Sequence, residues 1–145
     1  MSTLLGLLLT VVVGVHDGDT LRLSTGVIVR LWGIDAPELL QPYGAEAKAK
    51  LSGLVLAKNL RLEIRGRDRY GRTLGVLWLG RRNVNQFMIV NGLAWHYRRY
   101  APCARAHAAG CVLERLEDNA QRSRRGLWES KEAIPPWEWR RLHAQ

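Results

Sequence analysis

The chain is poor in the residues that would place it in several broad classes. Its 145 residues include two cysteines, Cys103 and Cys111, with seven residues between them. Without a CxxC spacing or a second pair they cannot complete a zinc site. Two readings stay open, a local disulfide in an oxidising compartment or two unrelated thiols in a reducing one. The apolar run from Leu4 to Val15 falls short of the roughly 20 residues that a spanning helix needs, so stable membrane insertion is not expected. No Lys or Arg precedes that run and no small-x-small site ends it, which makes it a poor signal peptide. Leu4 to Leu9 is either the remnant of a secretion signal or an apolar lead-in to a strand. Internal repeats and low-complexity tracts are lacking. An apolar content of 47% excludes disorder as the dominant state, and the length admits one domain over residues 1–145 but not two independent cores.

Acidic residues are also scarce. Thirteen Asp and Glu face 22 Lys and Arg, for a formal net charge of +9 and a pI near 10.4. Residues 1–60 carry 5 basic and 5 acidic side chains, residues 61–113 carry 10 and 2, and residues 114–145 carry 7 and 6. The excess therefore sits in the middle of the chain and is arginine throughout, the side chain whose planar fork bonds phosphate in bidentate fashion. A polyanionic partner is implied, nucleic acid before an acidic membrane, because no basic amphipathic helix of sufficient length is present.

The first third of the chain reads as strands. Val11–Val15, Leu21–Leu23 and Val27–Leu31 are apolar and β-branched, and are punctuated by Asp17-Gly18 and Thr25-Gly26. Helical spacing follows at Ala47, Leu51, Leu54, Val55 and Lys58, with Glu46 and Lys58 placed as a helix dipole prefers. Leu60–Ile64 and Thr73–Leu79 form a predicted hairpin whose tip, Arg65 to Arg72, is rich in arginine. Asn83 opens a short helix that Asn91-Gly92 closes, a third helix runs from about Val112 to Arg125, and Pro135-Pro136-Trp137 reads as an extended strap. Five strands with helices between them in a small basic chain suit an α+β fold built on a Greek-key barrel of the OB type, with three helices.

Four acids gather in two short motifs, Asp17 and Asp19 in His16-Asp17-Gly18-Asp19-Thr20, and Asp35 and Glu38 in Gly33-Ile34-Asp35-Ala36-Pro37-Glu38. Asp17 and Asp19 are two apart, and a turn at Gly26 folds the next strand back to bring Asp35 near them. Like charges gathered this way repel, and a hard cation with oxygen ligands relieves the repulsion; calcium suits such a set better than zinc. Taken singly, each motif is better read as only a turn or a helix approach. Arg30 on the strand before Asp35, and Arg72 closing Asp68-Arg69-Tyr70-Gly71-Arg72, complete what phosphodiester hydrolysis needs: a cation, a carboxylate to take a proton from water, and guanidiniums to neutralise growing charge.

With these motifs, together with Tyr43-Gly44-Ala45-Glu46-Ala47, Val84-Asn85, Gly92-Leu93-Ala94 and Gly126-Leu127-Trp128, the sequence resembles the staphylococcal nuclease (thermonuclease) family over most of its length. The resemblance implies a five-stranded OB barrel with three helices and a calcium-dependent nuclease acting on DNA and RNA, single strands favoured, leaving 3′-phosphates. It places Asp19 and Asp35 at the family's calcium-ligating carboxylates, the main-chain carbonyl of Ala36 at a further ligand, and Asp17 behind them. Glu38 falls on the general base, and Arg30 and Arg72 fall on the two phosphate-binding arginines. Arg69 stands where the family archetype has a phosphate-contacting lysine, and Ala36 replaces a threonine. The stretch after Glu38 is shorter than in the archetype. Tyr70 and Tyr100 match aromatic positions near the bound nucleotide, with barrel packing as the competing reading. The resemblance also favours a Cys103–Cys111 bridge, a monomer and a secreted or periplasmic location. A noncatalytic OB-fold nucleic-acid-binding module is the alternative; Arg30, Asp35, Glu38 and Arg72 are all present, which favours the enzyme.

Overall fold

Five strands close a barrel around an apolar interior. In the computed structural model, which describes residues 7–144, β1 (Leu7–Val15), β2 (Thr20–Leu23) and β3 (Ile28–Leu31) form an antiparallel meander. The other edge of β1 pairs with β5 (Asn59–Arg67), with Thr10 opposite Leu60, and β5 turns back into β6 (Thr73–Leu79). Closure comes from β6 running parallel to β3, with Val29 opposite Thr73 and Arg30 opposite Leu74. Register shifts between Val12 and Gly14 and between Ile64 and Gly66 bend the two longest strands so that each serves two neighbours. Val12, Leu21, Val29, Leu31, Leu60, Leu62 and Leu77 fill the interior. The expected OB-type barrel is what the chain forms. The first residues of the Leu4–Leu9 run lie outside the described residues.

The helices frame one end of the barrel. α1 (Gly44–Val55) buries Ala47, Leu51 and Val55 along one face. It ends earlier than its spacing predicts: Leu56 bridges to Val12 and Ala57 takes a left-handed φ of 61°, leaving Lys58 beyond the helix. A two-residue strand, β7 (Arg82–Asn83), leads into α2 (Val84–Val90), whose first turn is capped by the Asn83 side chain accepting from the Gln86 N–H at 3.0 Å. Buried Asn85 accepts from Leu77 N–H and donates to the carbonyls of Trp32 and Gly75, which ties α2 to the β3–β6 seam. Beside the barrel, β4 (Ile34–Asp35) pairs with β8 (Trp95–His96), setting Asp35 opposite Trp95.

α3 runs over Ala109–Arg122, three residues earlier at each end than its pattern predicts. Cys103 and Cys111 are bridged, with Cα atoms 4.4 Å apart, bracing the loop before this helix. After a 3₁₀ turn at Gly126–Glu129, the expected extended strap is instead a fourth helix, α4 (Pro136–Leu142). The double proline reads as extended, yet a proline in the first turn of a helix forfeits no hydrogen bond and has the right φ. Only Pro135 keeps the extended conformation, at ψ 148°. Among the described residues, no helix is long and apolar enough to cross a membrane.

Candidate active site

Two acidic turns meet at one end of the barrel. The Asp17-Gly18-Asp19 turn joins β1 to β2, and the Asp17 carboxylate accepts from the Asp19 N–H at 3.0 Å. The turn packs closely on the second motif: a Cβ at Gly18 would come within 2.7 Å of the methyl groups of Ala36 and Ala47. Asp19 in turn accepts from the Ala36 N–H at 2.7 Å and from the Thr20 hydroxyl at 2.9 Å. Ala36 therefore joins the cluster through its N–H. Gly44 is needed for the same loop, because a side chain there would run into the Glu38 carbonyl.

Arg30 ties the two turns together from the floor. It is 5% exposed, donates to the carbonyls of Leu31 at 3.0 Å and Ile34 at 2.6 Å, and donates to Asp35 at 3.2 Å with Asp19 at 3.5 Å. Burial and the ion pairs together set the local proton affinities. Burial works to raise Asp19, but the Arg30 guanidinium and the hydrogen bonds it accepts outweigh that and hold it below the ordinary carboxylate range. Asp17, half-buried beside the Asp19 charge and with no such arginine, is pushed up to about 8. Burial leaves Asp35 raised, even against the bonds from Arg140 and the charge of Arg30.

A cleft of about 620 Å³ opens above these acids and is lined by Asp17, Asp19, Arg30, Asp35, Glu38, Arg69, Tyr70, Arg72 and Tyr100. All the side chains singled out in the sequence for catalysis, phosphate contact or stacking thus face one space. Arg72 is held by Asp68, its Nε donating to the carboxylate at 2.6 Å, and Asp68 is fixed by the N–H groups of Tyr70 and Arg72. Tyr70 is 69% exposed, which excludes barrel packing for it, and lies beneath the guanidiniums of Arg69 at 5.0 Å and Arg72 at 5.6 Å. Tyr100 is half-buried, edge-on to Tyr97 with centroids 5.1 Å apart.

Arg140, Trp137 and Tyr97, none of them expected at a site from the sequence, also line the cleft, together with Arg99 of the arginine-rich middle of the chain. Arg140 matters most. From α4 it donates to both oxygens of Asp35, at 3.1 and 2.8 Å, and to Glu38 at 2.8 Å. A signal was available, since Trp137 and Arg140 are three residues apart and so share a helix face, but it is visible only once the double proline is read as a helix start.

Whether these residues suit a calcium ion is a question of donors. Four carboxyl groups, Asp17, Asp19, Asp35 and Glu38, face two guanidiniums, Arg30 and Arg140, around the cleft. Hard oxygen donors with excess negative charge fit a divalent cation of the calcium type. As arranged, however, no three acidic, histidine or cysteine side chains among the described residues stand close enough to hold an ion, and Arg140 takes both oxygens of Asp35.

Comparison with known proteins settles the lineage. Residues 28–130 match the model of the staphylococcal nuclease homologue family. The chain belongs to that family. Relatives agree with it over nearly the whole length. Protein ParB of Escherichia coli is 39% identical over 142 residues, covering 90% of this chain and 77% of that protein. An uncharacterized endonuclease of Haemophilus influenzae is 41% identical over 134 residues, covering 90% and 71%. A micrococcal nuclease of Shigella flexneri is 36% identical over 142 residues, covering 90% and 79%. Within this staphylococcal nuclease homologue the family match covers Arg30, Asp35, Glu38 and Arg72, whereas Asp17, Asp19 and Arg140 lie outside residues 28–130.

Proposed function

We propose that the protein is a calcium-dependent nuclease that hydrolyses DNA and RNA with low sequence specificity, breaking the 5′ P–O bond to leave 3′-phosphates. The observation that carries this reading is the convergence of Arg30, Asp35, Glu38 and Arg72 on one cleft with Asp19. Asp19, Asp35 and the carbonyl of Ala36 would hold the cation, with Asp17 behind them. Bound there, calcium supplies Lewis-acid stabilisation of a nonbridging phosphate oxygen.

Glu38 takes a proton from water, and the water oxygen attacks phosphorus opposite the 5′ oxygen, which departs with the bonding pair and acquires a proton as the hydroxyl product. Arg72 lies at the cleft wall with its side chain 32% exposed, in reach of a phosphate whose charge grows in the transition state. Arg30 acts from the floor, where it also holds Asp19 and Asp35 in place. Arg69 adds charge beside Tyr70, and Tyr70 and Tyr100 offer ring faces to unpaired bases, which supports a preference for single strands. The Cys103–Cys111 bridge supports a secreted or periplasmic setting. One chain contributes every group used, which supports action as a monomer.

The test is cleavage of single-stranded and duplex DNA and of RNA in calcium, in magnesium and in chelator, for the wild type and for Glu38→Gln. Calcium-supported cleavage lost in Glu38→Gln is the expected result. Salt-sensitive binding with no cleavage in any ion would instead favour the noncatalytic OB-fold module.

A further inference from the structure

Arg140 enters the cleft from beyond the residues the family model matches, and it makes the contacts a cation would make. One guanidinium bridges Asp35, through both oxygens, and Glu38. Asp35 also receives a bond from Arg30. A carboxylate offers about four lone-pair sites, so three at Asp35 are taken. A divalent ion approaching Asp35 meets a carboxylate whose better directions are filled, and it gains full access only if a guanidinium leaves.

The surroundings decide which of the two arginines yields. Arg30 is 5% exposed and bonded to the carbonyls of Leu31 and Ile34 as well as to the acids, so moving it would strand buried carbonyls and carboxylates together. The Arg140 side chain is 42% exposed and its bonds go to Asp35 and Glu38. α4 is held by other means. Trp137 packs against Trp95 and Tyr97, with centroids 5.8 and 5.7 Å away, and Gln41 donates to the Ile134 carbonyl at 2.8 Å. The guanidinium can swing into solvent while the helix stays docked.

We propose that Arg140 is an internal competitor for the divalent cation: it neutralises Asp35 and Glu38 when no cation is bound, and full cation binding at Asp35 displaces its side chain. The proposal rests on the reading of Asp19 and Asp35 as cation ligands. It couples two events. The movement that opens Asp35 also releases Glu38, so the base is freed when the cation arrives and is held when it is absent.

The experiment is calorimetric titration of calcium into the full chain without nucleic acid, for the wild type, Arg140→Gln and Arg141→Gln. Arg141 sits next along α4 and pairs with Glu138, so its variant removes the same charge without touching Asp35. Arg140→Gln should bind calcium about tenfold more tightly, the equivalent of one charge-assisted hydrogen bond no longer competing, and Arg141→Gln should stay within about twofold of the wild type. Melting curves with and without calcium separate competition from a loosened fold: Arg140→Gln should melt no higher than the wild type in chelator, yet gain more from added calcium. Affinity unchanged or weakened in Arg140→Gln, or strengthened equally in Arg141→Gln, would overturn the competition and leave the cation reading standing. Calcium binding absent from all three proteins would overturn that reading together with the competition.

Discussion

Arg30 and Arg72 are expected to fail in different ways when truncated. In Arg30→Ala, Asp19 and Asp35 lose the guanidinium that spans them. Asp35 keeps Arg140, and Asp19 keeps the Ala36 N–H and the Thr20 hydroxyl, but both carboxylates are at most 4% exposed. Breaking a buried pair by removing one partner costs about 3–5 kcal/mol. For a chain of this size one kcal/mol shifts the melting temperature by roughly 4 °C, so a fall of roughly 10–20 °C is expected. Arg72 is different: its partner Asp68 retains the N–H groups of Tyr70 and Arg72, and the guanidinium is partly solvated. The Asp68 side chain is itself 1% exposed but keeps those two N–H bonds, so the loss should cost less than that of Arg30, about 1–2 kcal/mol and roughly 4–8 °C. Cleavage, in contrast, should drop in both variants by a factor on the order of 100 or more, as losing a transition-state donor does. The assay pairs circular-dichroism melts in chelator, which removes stabilisation by bound ion, with single-turnover cleavage well below either melting point. An Arg30→Ala protein that melts within a few degrees of the wild type would refute the role of Arg30 as the tie between the acidic turns. Equal destabilisation in the two variants would refute the contrast drawn between them.

Glu38→Gln should keep calcium binding at least as tight as in the wild type, because Arg140 loses one of its anchors, while cleavage falls, whereas Asp35→Asn should weaken calcium binding itself; titration calorimetry beside a cleavage assay separates the two. Opening the Cys103–Cys111 bridge in a double serine variant should cost about 2–3 kcal/mol for so short a loop, read by denaturant unfolding against the oxidised protein. His96 is fully buried, and burial holds its pKa below the ordinary 6.5. The unfolded chain therefore takes up the proton first, and stability should fall as pH drops through about 6.5 and below. Glu117, which accepts from the His96 N–H, is raised by burial and works in the opposite sense, its contribution being full below its ordinary 4.5 and lost as pH rises past it. His96→Gln should flatten the acid-side loss below about pH 6.5 in urea melts.

The barrel was legible because its signals are local. β5 alternates buried and exposed residues from Asn59 to Leu62, and Asp17-Gly18 and Thr25-Gly26 mark turns that the structure contains. The helix ends were harder. Lys58 continues the helical spacing of α1, but the contact between Leu56 and Val12, 44 positions apart, ends the helix first. α3 begins at Ala109 because Gly110 lets the helix approach the carbonyls of Ala101 and Pro102, and it stops before left-handed turns at Arg124 and Gly126. The cleft residues were legible as two compact motifs and a hairpin tip. Arg140 was not, since its contact with Asp35 spans 105 positions and is made by a helix that proline disguises. Tyr70 could be judged only from its exposure, which no spacing reveals.

The parallel pairing of β3 with β6 also governs whether the cleft is complete. Arg30 lies within that pairing and Arg72 immediately precedes it, so the two guanidiniums face a common space only after strands more than 40 positions apart have met. Asn85 then fastens the join through the carbonyls of Trp32 and Gly75. A growing chain that has not yet delivered residue 85 has its acidic turns but lacks the fastened wall that carries Arg72. The cleft that holds both guanidiniums is therefore a property of the closed barrel, and the acidic turns without that closure do not make it.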